Sequence, residues 1–258
     1  MDLKNNTILI TGGTSGFGFE FAKRLLELGN TVIVTGRDET KLALTRKNLP
    51  AIHTFQSDVS DPKAITDLFA KVTQQFPKLN ILINNAGQMR RMSLHDTSIG
   101  LTDITREVET NLMGPIRMVQ AFLPHLKRMQ SAAILNVTSG LALVPFPIAP
   151  IYGATKAGLR WYTKSLRVQL KNTKIKVFEL VAPASNTPLN DQFLGMDGFD
   201  AKRMIAPEKI IDAAIKGLEN DKFEVYPGIA RVLLIMSRIA PGFMLKQLSK
   251  VGEREMAG

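Results

Sequence analysis

The chain predicts a doubly wound α/β fold: a parallel sheet lying between two layers of helices. Three observations carry this. Short apolar, β-branched runs alternate with longer segments of helical period. Most of the runs are apolar throughout rather than alternating, which fits strands covered on both faces. A glycine-rich turn joins the first run directly to the first helical segment. Such a sheet needs right-handed crossovers, and its ligands bind beyond the carboxyl ends of the strands.

The elements follow in order. Thr7-Ile8-Leu9-Ile10 reads as a buried strand stopped by glycines. Phe17 to Leu28 repeats Phe17, Phe21, Leu25 and Leu28 on one helical face and ends at Gly29-Asn30. Thr31 to Thr35 is the second strand. Asp38 caps a helix that reaches Leu49 and stops before Pro50. Residues 52–55 form a third strand. Asp61 caps the next helix, with Pro62 at its first position. Ile81 to Ile83 is the fourth strand. A helical region from Leu101 to Met129 carries Pro115 and Pro124, which are expected to interrupt it. Residues 132–137 give a fifth strand, 151–170 a helix, and 176–181 a sixth strand. No repeat, linker or low-complexity segment divides the chain, so residues 1–258 are taken as one domain.

Composition narrows the function. A chain of 258 residues, 45% apolar and 22% charged, is an ordinary globular sequence with ample core. It has no cysteine, which excludes disulfides, thiolate nucleophiles and cysteine zinc sites and favours a cytoplasmic location. His53, His95 and His125 do not stand at metal-ligand spacing, so no metal is expected. The first six residues lack the pattern of a signal peptide. The net charge of +10 is spread along the chain without a nucleic-acid motif, and no nucleic-acid partner is expected.

The turn after the first strand reads Thr11-Gly12-Gly13-Thr14-Ser15-Gly16-Phe17-Gly18. Strand, glycine turn and helix in that order form the cradle of a Rossmann-type dinucleotide site. Gly12 permits the tight turn, Gly16 the close approach to a pyrophosphate, and Gly18 the packing of helix on strand. The helix N-terminus offers the phosphates free N–H groups and a positive dipole end. After the second strand stands Arg37, suited to a 2′-phosphate, where a 2′-hydroxyl would call for an acid. NADP(H) is therefore preferred, with NAD(H) open because Asp38 follows; Asp38 serves equally well as a helix cap. Tyr152 and Lys156 lie one helical turn apart on one face. An ammonium near a phenol lowers its pKa, so this pair is a candidate proton donor and acceptor.

These motifs together resemble the short-chain dehydrogenase/reductase family over Thr7 to about Phe223. The matching residues are Thr11-Gly12, Gly16 and Gly18, Asp58-Val59, Asn84-Asn85-Ala86-Gly87, Asn111, Ser139, and Tyr152 with Lys156. Thr138 to Ala142 and Gly87 to Arg90 are similar to a bacterial branch named after the teichoic-acid D-alanylation operon. The resemblance implies hydride transfer between NADP(H) and a carbonyl/alcohol pair. It implies Tyr152 as acid/base, and Lys156 as its pKa depressor and ribose ligand. Ser139 would hydrogen-bond the carbonyl oxygen, and Asn111 would hold a relay water. Thr11, Gly12, Thr14, Ser15, Gly16, Phe17 and Gly18 would form the cradle. Asp58 and Val59 would flank the adenine, and Asn85, Ala86 and Gly87 would line the cofactor. Pro183 and Thr187 would reach the nicotinamide. The family has glycine where this chain has Ala184, which leaves that contact open. A homodimer or homotetramer through the helices carrying Asn111 and Tyr152 is also implied.

Residues 184–206 contain Gly195 and Gly198 among Leu194, Met196 and Phe199. They read as a flap over a partly apolar small-molecule substrate or as a surface loop. Arg90 and Arg91 read as surface charge or as contacts to a substrate anion. The tail, about 227–258, is apolar and basic and is broken by Pro241-Gly242, so it does not read as a membrane span. It reads as a lid or subunit contact, or as two amphipathic helices on an anionic membrane. Two non-enzymatic readings stand beside the oxidoreductase: a dinucleotide sensor, and a peripheral membrane-binding protein on the same fold.

Overall fold

The structure, a computed structural model, describes residues 1–256; Ala257 and Gly258, the end of the predicted tail, lie outside them. Seven parallel strands make one sheet in the order β3-β2-β1-β4-β5-β6-β7. They are β1 (Thr7–Thr11), β2 (Thr31–Gly36), β3 (His53–Gln56), β4 (Leu79–Asn84), β5 (Ala132–Ser139), β6 (Ile175–Ala182) and β7 (Glu224–Val225). The order reverses between β1 and β4, so a crevice opens above their carboxyl ends.

Three helices precede β4: α1 (Gly16–Glu27), α2 (Glu39–Asn48) and α3 (Pro62–Gln75). Asp38 and Asp61 cap α2 and α3, accepting from the backbone N–H of Lys41 at 3.1 Å and Lys63 at 2.8 Å. Between β4 and β5 lie α4 (Leu101–Ile104), α5 (Arg106–Val108), a π turn over Glu109–Met113 and α6 (Gly114–Leu126). Further on come α7 (Pro150–Gln169), α8 (Pro207–Glu219), α9 (Ile229–Ile239), α10 (Pro241–Leu248) and α11 (Glu253–Met256).

Alternate strand residues feed two cores. Ile8 and Ile10 point to the side of α1 and α8, where they join Phe21, Leu25, Ile211 and Leu218. Leu9, between them, points to α3, α6 and α7, among Leu68, Val72, Phe122 and Leu166. A third cluster sits beyond the carboxyl ends of the strands and joins Met89, Phe146, Tyr152, Phe193 and Val251.

The structure corrects the sequence reading in two places. The prolines do not break the long helical region. Pro115 occupies the first turn of α6, where its fixed φ suits the helix, and Pro124 rides inside its last turns. The irregularity is the π turn just before Pro115. The seventh strand, β7, was missed because two residues are too few to show a period.

Candidate active site

Above the carboxyl ends of β1, β2, β4, β5 and β6 lies a cavity of about 1170 Å³. That is larger than an ordinary small-molecule site, roughly 300–1,000 Å³, and leaves space for two ligands side by side. Gly12, Thr14, Ser15, Gly16, Phe17, Arg37, Asp58, Val59, Asn85, Ala86 and Gly87 line one end. Ser139, Tyr152, Lys156, Pro183 and Thr187 line its middle.

Three of the expected residues are not on the wall. Thr11 is buried in β1, and its Oγ1 accepts from the N–H groups of Asn85 at 3.0 Å and Ala86 at 3.1 Å. It therefore ties the turn after β1 to the loop after β4. Gly18 faces that same loop: a Cβ there would collide with the Gly12 carbonyl and the Asn85 amide. Asn111 lies in the π turn, fully buried. Its Oδ1 accepts from Gln88 N–H at 2.9 Å, and its Nδ2 donates to Gln88 O at 2.8 Å and Thr155 Oγ1 at 3.2 Å. Each of the three holds a segment that does line the cavity.

The residues at the first end fit a dinucleotide. Gly12 has φ of +67°, and a Cβ there would come within 2.8 Å of Ala86 Cα, so backbone rather than side chain forms the wall. Ser15 starts α1 without a side-chain cap, leaving the first N–H groups of the helix for an anion. Arg37 is 60% exposed and forms only a loose ion pair with Asp58, 3.7 Å apart, so it can turn to a phosphate at little cost. Asp38 is committed to capping α2.

In the middle, Ser139 ends β5, and Tyr152 and Lys156 lie in the first turns of α7. Tyr152 is 5% exposed and Lys156 4%. The Lys156 ammonium donates to Val137 O at 2.9 Å and stands 5.7 Å from the Tyr152 ring centre. Burial pushes the Tyr152 phenol up to about 12; the Ser139 hydroxyl pulls it down, and the Glu107 carboxylate pushes it up. This runs against the lowering expected from Lys156. The cause is desolvation, which opposes a buried phenolate and also brings Lys156 itself down to about 8. Ala184 keeps negative φ, so that turn has no need of the glycine the family places there.

At the far end of the cavity the 184–206 segment and the tail, read above as a flap and a lid, meet residues that the sequence did not single out. Met89, Phe146, Leu189, Gln192, Phe193 and Phe199 line it, joined by Leu233, Met244, Leu248 and Val251 from the tail. Met89 and Phe146 carry no motif, and only their place in the fold brings them here. The segment 184–206 is a seated wall, not a loose surface loop: Ser185 and Phe193 are fully buried. Arg90 and Arg91 take no part in the lining. Arg90 pairs with Asp103 at 2.6 Å and with buried Glu107 at 3.4 Å; Arg91 pairs with Glu255 at 2.9 Å.

The description of a short chain dehydrogenase matches residues 6–196. The chain is a member of the short-chain dehydrogenase/reductase family. It is 40% identical over 225 residues to the uncharacterized oxidoreductase DltE of Bacillus subtilis (strain 168), covering 87% of this chain and 89% of that protein. A short chain dehydrogenase from Burkholderia cenocepacia J2315, solved with NADP, superposes with a TM-score of 0.82 at 24% identity, over 96% of this chain and 99% of the other. A 3-ketoacyl-(acyl-carrier-protein) reductase from Brucella melitensis, solved with NADH, superposes with a TM-score of 0.77 at 28% identity, over 86% and 93%. As a dehydrogenase/reductase of this family, the chain has the seven-stranded parallel sheet that these relatives lead one to expect.

Proposed function

We propose that the chain is an NADP(H)-dependent reductase of a carbonyl on a partly apolar small molecule, with Tyr152 as its proton donor. The observation that carries this is the meeting of Ser139, Tyr152 and Lys156 in the same cavity as the glycine turn. The nicotinamide supplies the hydride when bound. Ser139 would hold the carbonyl oxygen beside Tyr152. A phenol at about 12 holds its proton at neutral pH, so Tyr152 stands loaded as the donor to a carbonyl oxygen. Lys156, at about 8, keeps most of its charge at pH 7 and lies beside the phenolate as it forms. Asn111 acts as a positioning residue: its side chain fixes Gln88, while Pro115, four residues on, has no N–H to give its carbonyl. In this reading the Asn111 carbonyl would hold a relay water. Arg37, free to meet a 2′-phosphate, supports NADP(H) over NAD(H).

The reading treats the whole chain as one catalytic unit. A homodimer or homotetramer is part of it: Trp161 and Val168 stand 68% and 65% exposed along α7, where a second copy would cover them. The test is oxidation of NADPH and NADH against a panel of ketones, aldehydes and quinones, with Tyr152→Phe beside the wild type. NADPH-linked turnover that vanishes in Tyr152→Phe is expected. Failure to bind either dinucleotide overturns the proposal.

A further inference from the structure

The outer face of α9 is the wrong way round for a helix in water. A surface helix normally buries its apolar stripe and shows its charges. Here Ala230 is the one fully buried residue of α9, and Leu233 packs inward over Gly140. At about 100° per residue, Val232, Ile235 and Ile239 fall on the opposite side, and they are 53%, 48% and 75% exposed. Arg231 and Arg238 run along one edge of that stripe. Phe243 and Leu245 of α10 extend it, 54% and 43% exposed. Among the described residues, six of the thirteen exposed large apolar residues lie between Ile229 and Leu245, so the ridge is a concentration and not ordinary scatter.

Its charge is one-sided. Between Tyr226 and Gly252 the chain has Arg231, Arg238, Lys246 and Lys250 and not one Asp or Glu. Among the described residues, none of the four cations forms a salt bridge. The ridge is also continuous with the cavity. Ile229 and Phe243 are both exposed on the ridge and part of the cavity wall, while Leu233, Met244 and Leu248 face inward beside them. An apolar face edged by unpaired cations matches the acyl boundary and headgroups of an anionic bilayer.

We infer that α9 and α10 seat the mouth of the cavity on an anionic lipid surface, and that the substrate is a carbonyl carried on a long apolar chain that enters from the lipid. The substrate half of this rests on the reductase proposed above; the membrane half does not. The contact lies in the interface plane, since among the described residues no helix is long and apolar enough to cross a membrane.

The test is co-sedimentation of the full chain with vesicles of phosphatidylcholine alone or mixed with phosphatidylglycerol, at low and high salt. The wild type is expected to pellet with the mixed vesicles at low salt. Arg231→Gln with Arg238→Gln should lower partitioning roughly thirtyfold, as two cations near an anionic surface contribute about 1 kcal/mol each. Val232→Glu with Ile239→Glu, neither of which touches the cavity, should abolish pelleting while thermal melting and turnover of a short soluble ketone stay as in the wild type. Turnover of a long-chain aldehyde held in the vesicles should fall with binding. A wild type that stays in the supernatant with both vesicle types overturns the inference. So does a glutamate pair that still pellets, or one whose main effect is to split a dimer in sedimentation velocity. Pelleting without any NADPH turnover would instead overturn the reductase reading and the substrate half with it, and leave the membrane half standing.

Discussion

The two ends of the cavity are built from different materials. The end reaching Arg37 and Asp58 is walled by backbone: a glycine turn, a helix N-terminus and the loop after β4, drawn together by Thr11 and Gly18. The end reaching Phe193 and Val251 is walled by side chains from four distant segments, around Met89, Phe146, Phe193 and Val251. The first end is set by short motifs, each a few residues long, at the carboxyl ends of β1 to β4. The second exists only after the tail has folded back over the sheet. A backbone wall admits one kind of ligand; a side-chain wall can be changed residue by residue while the fold stays.

If that division is real, the two ends should fail separately. The largest effect is expected between them. Tyr152→Phe removes the proton donor and should lower kcat by about a thousandfold, within the roughly 10²–10⁴ of general acid catalysis. The dissociation constant for NADPH, read by calorimetry, should hardly move; a large change there would mean that the phenol belongs to the cofactor end. Phe193→Ala empties a fully buried site and should cost about 3–5 kcal/mol in urea unfolding. It should raise KM for the carbonyl and leave KM for NADPH alone, and equal changes in both would break the comparison.

The third effect depends on pH. Burial lowers Lys156 from 10.5 to about 8. Below pH 8 its buried charge is a standing cost. Between pH 8 and 10.5 the unfolded chain holds the extra proton, so that cost is relieved and stability rises by about 3 kcal/mol. Tyr152 runs the other way: raised from 10.0 to about 12, it contributes fully below pH 10 and loses that contribution between pH 10 and 12. The difference in unfolding free energy between wild type and Lys156→Met should therefore shift toward the wild type as pH climbs from 8 to 10; a flat difference would show that the ammonium is well solvated. The smallest effect is at the exposed rim. Arg37→Ala should raise KM for NADPH about tenfold, the size expected of one solvated charge-assisted pair, and leave NADH unchanged.

What was readable in the chain follows the same line. Strands, caps and the glycine turn depend on neighbours, and Asp38, Asp61 and Pro62 sit where local rules put them. The π turn at Asn111 and the two-residue β7 depend on partners far away in sequence, so period and propensity were silent on both. Gly18 packs closely as its motif position implies, while Thr11 and Gly18 hold the cradle from behind rather than line it, because spacing does not tell which face of a turn meets the cavity. The direction of the Tyr152 shift was misread for a related reason. Spacing set Lys156 beside it, but the depth of burial that outweighs the lysine is a property of the whole fold.

One consequence concerns how the molecule can be watched. Trp161 is the sole tryptophan and stands 68% in solvent on α7. Its emission in the native monomer should already resemble that of a free indole in water, so unfolding will change the spectrum little and circular dichroism is the better reporter. The same exposure makes the indole a clean gauge of self-association. A second copy settling on α7 would exclude water from the ring and move its emission to shorter wavelength as protein concentration rises.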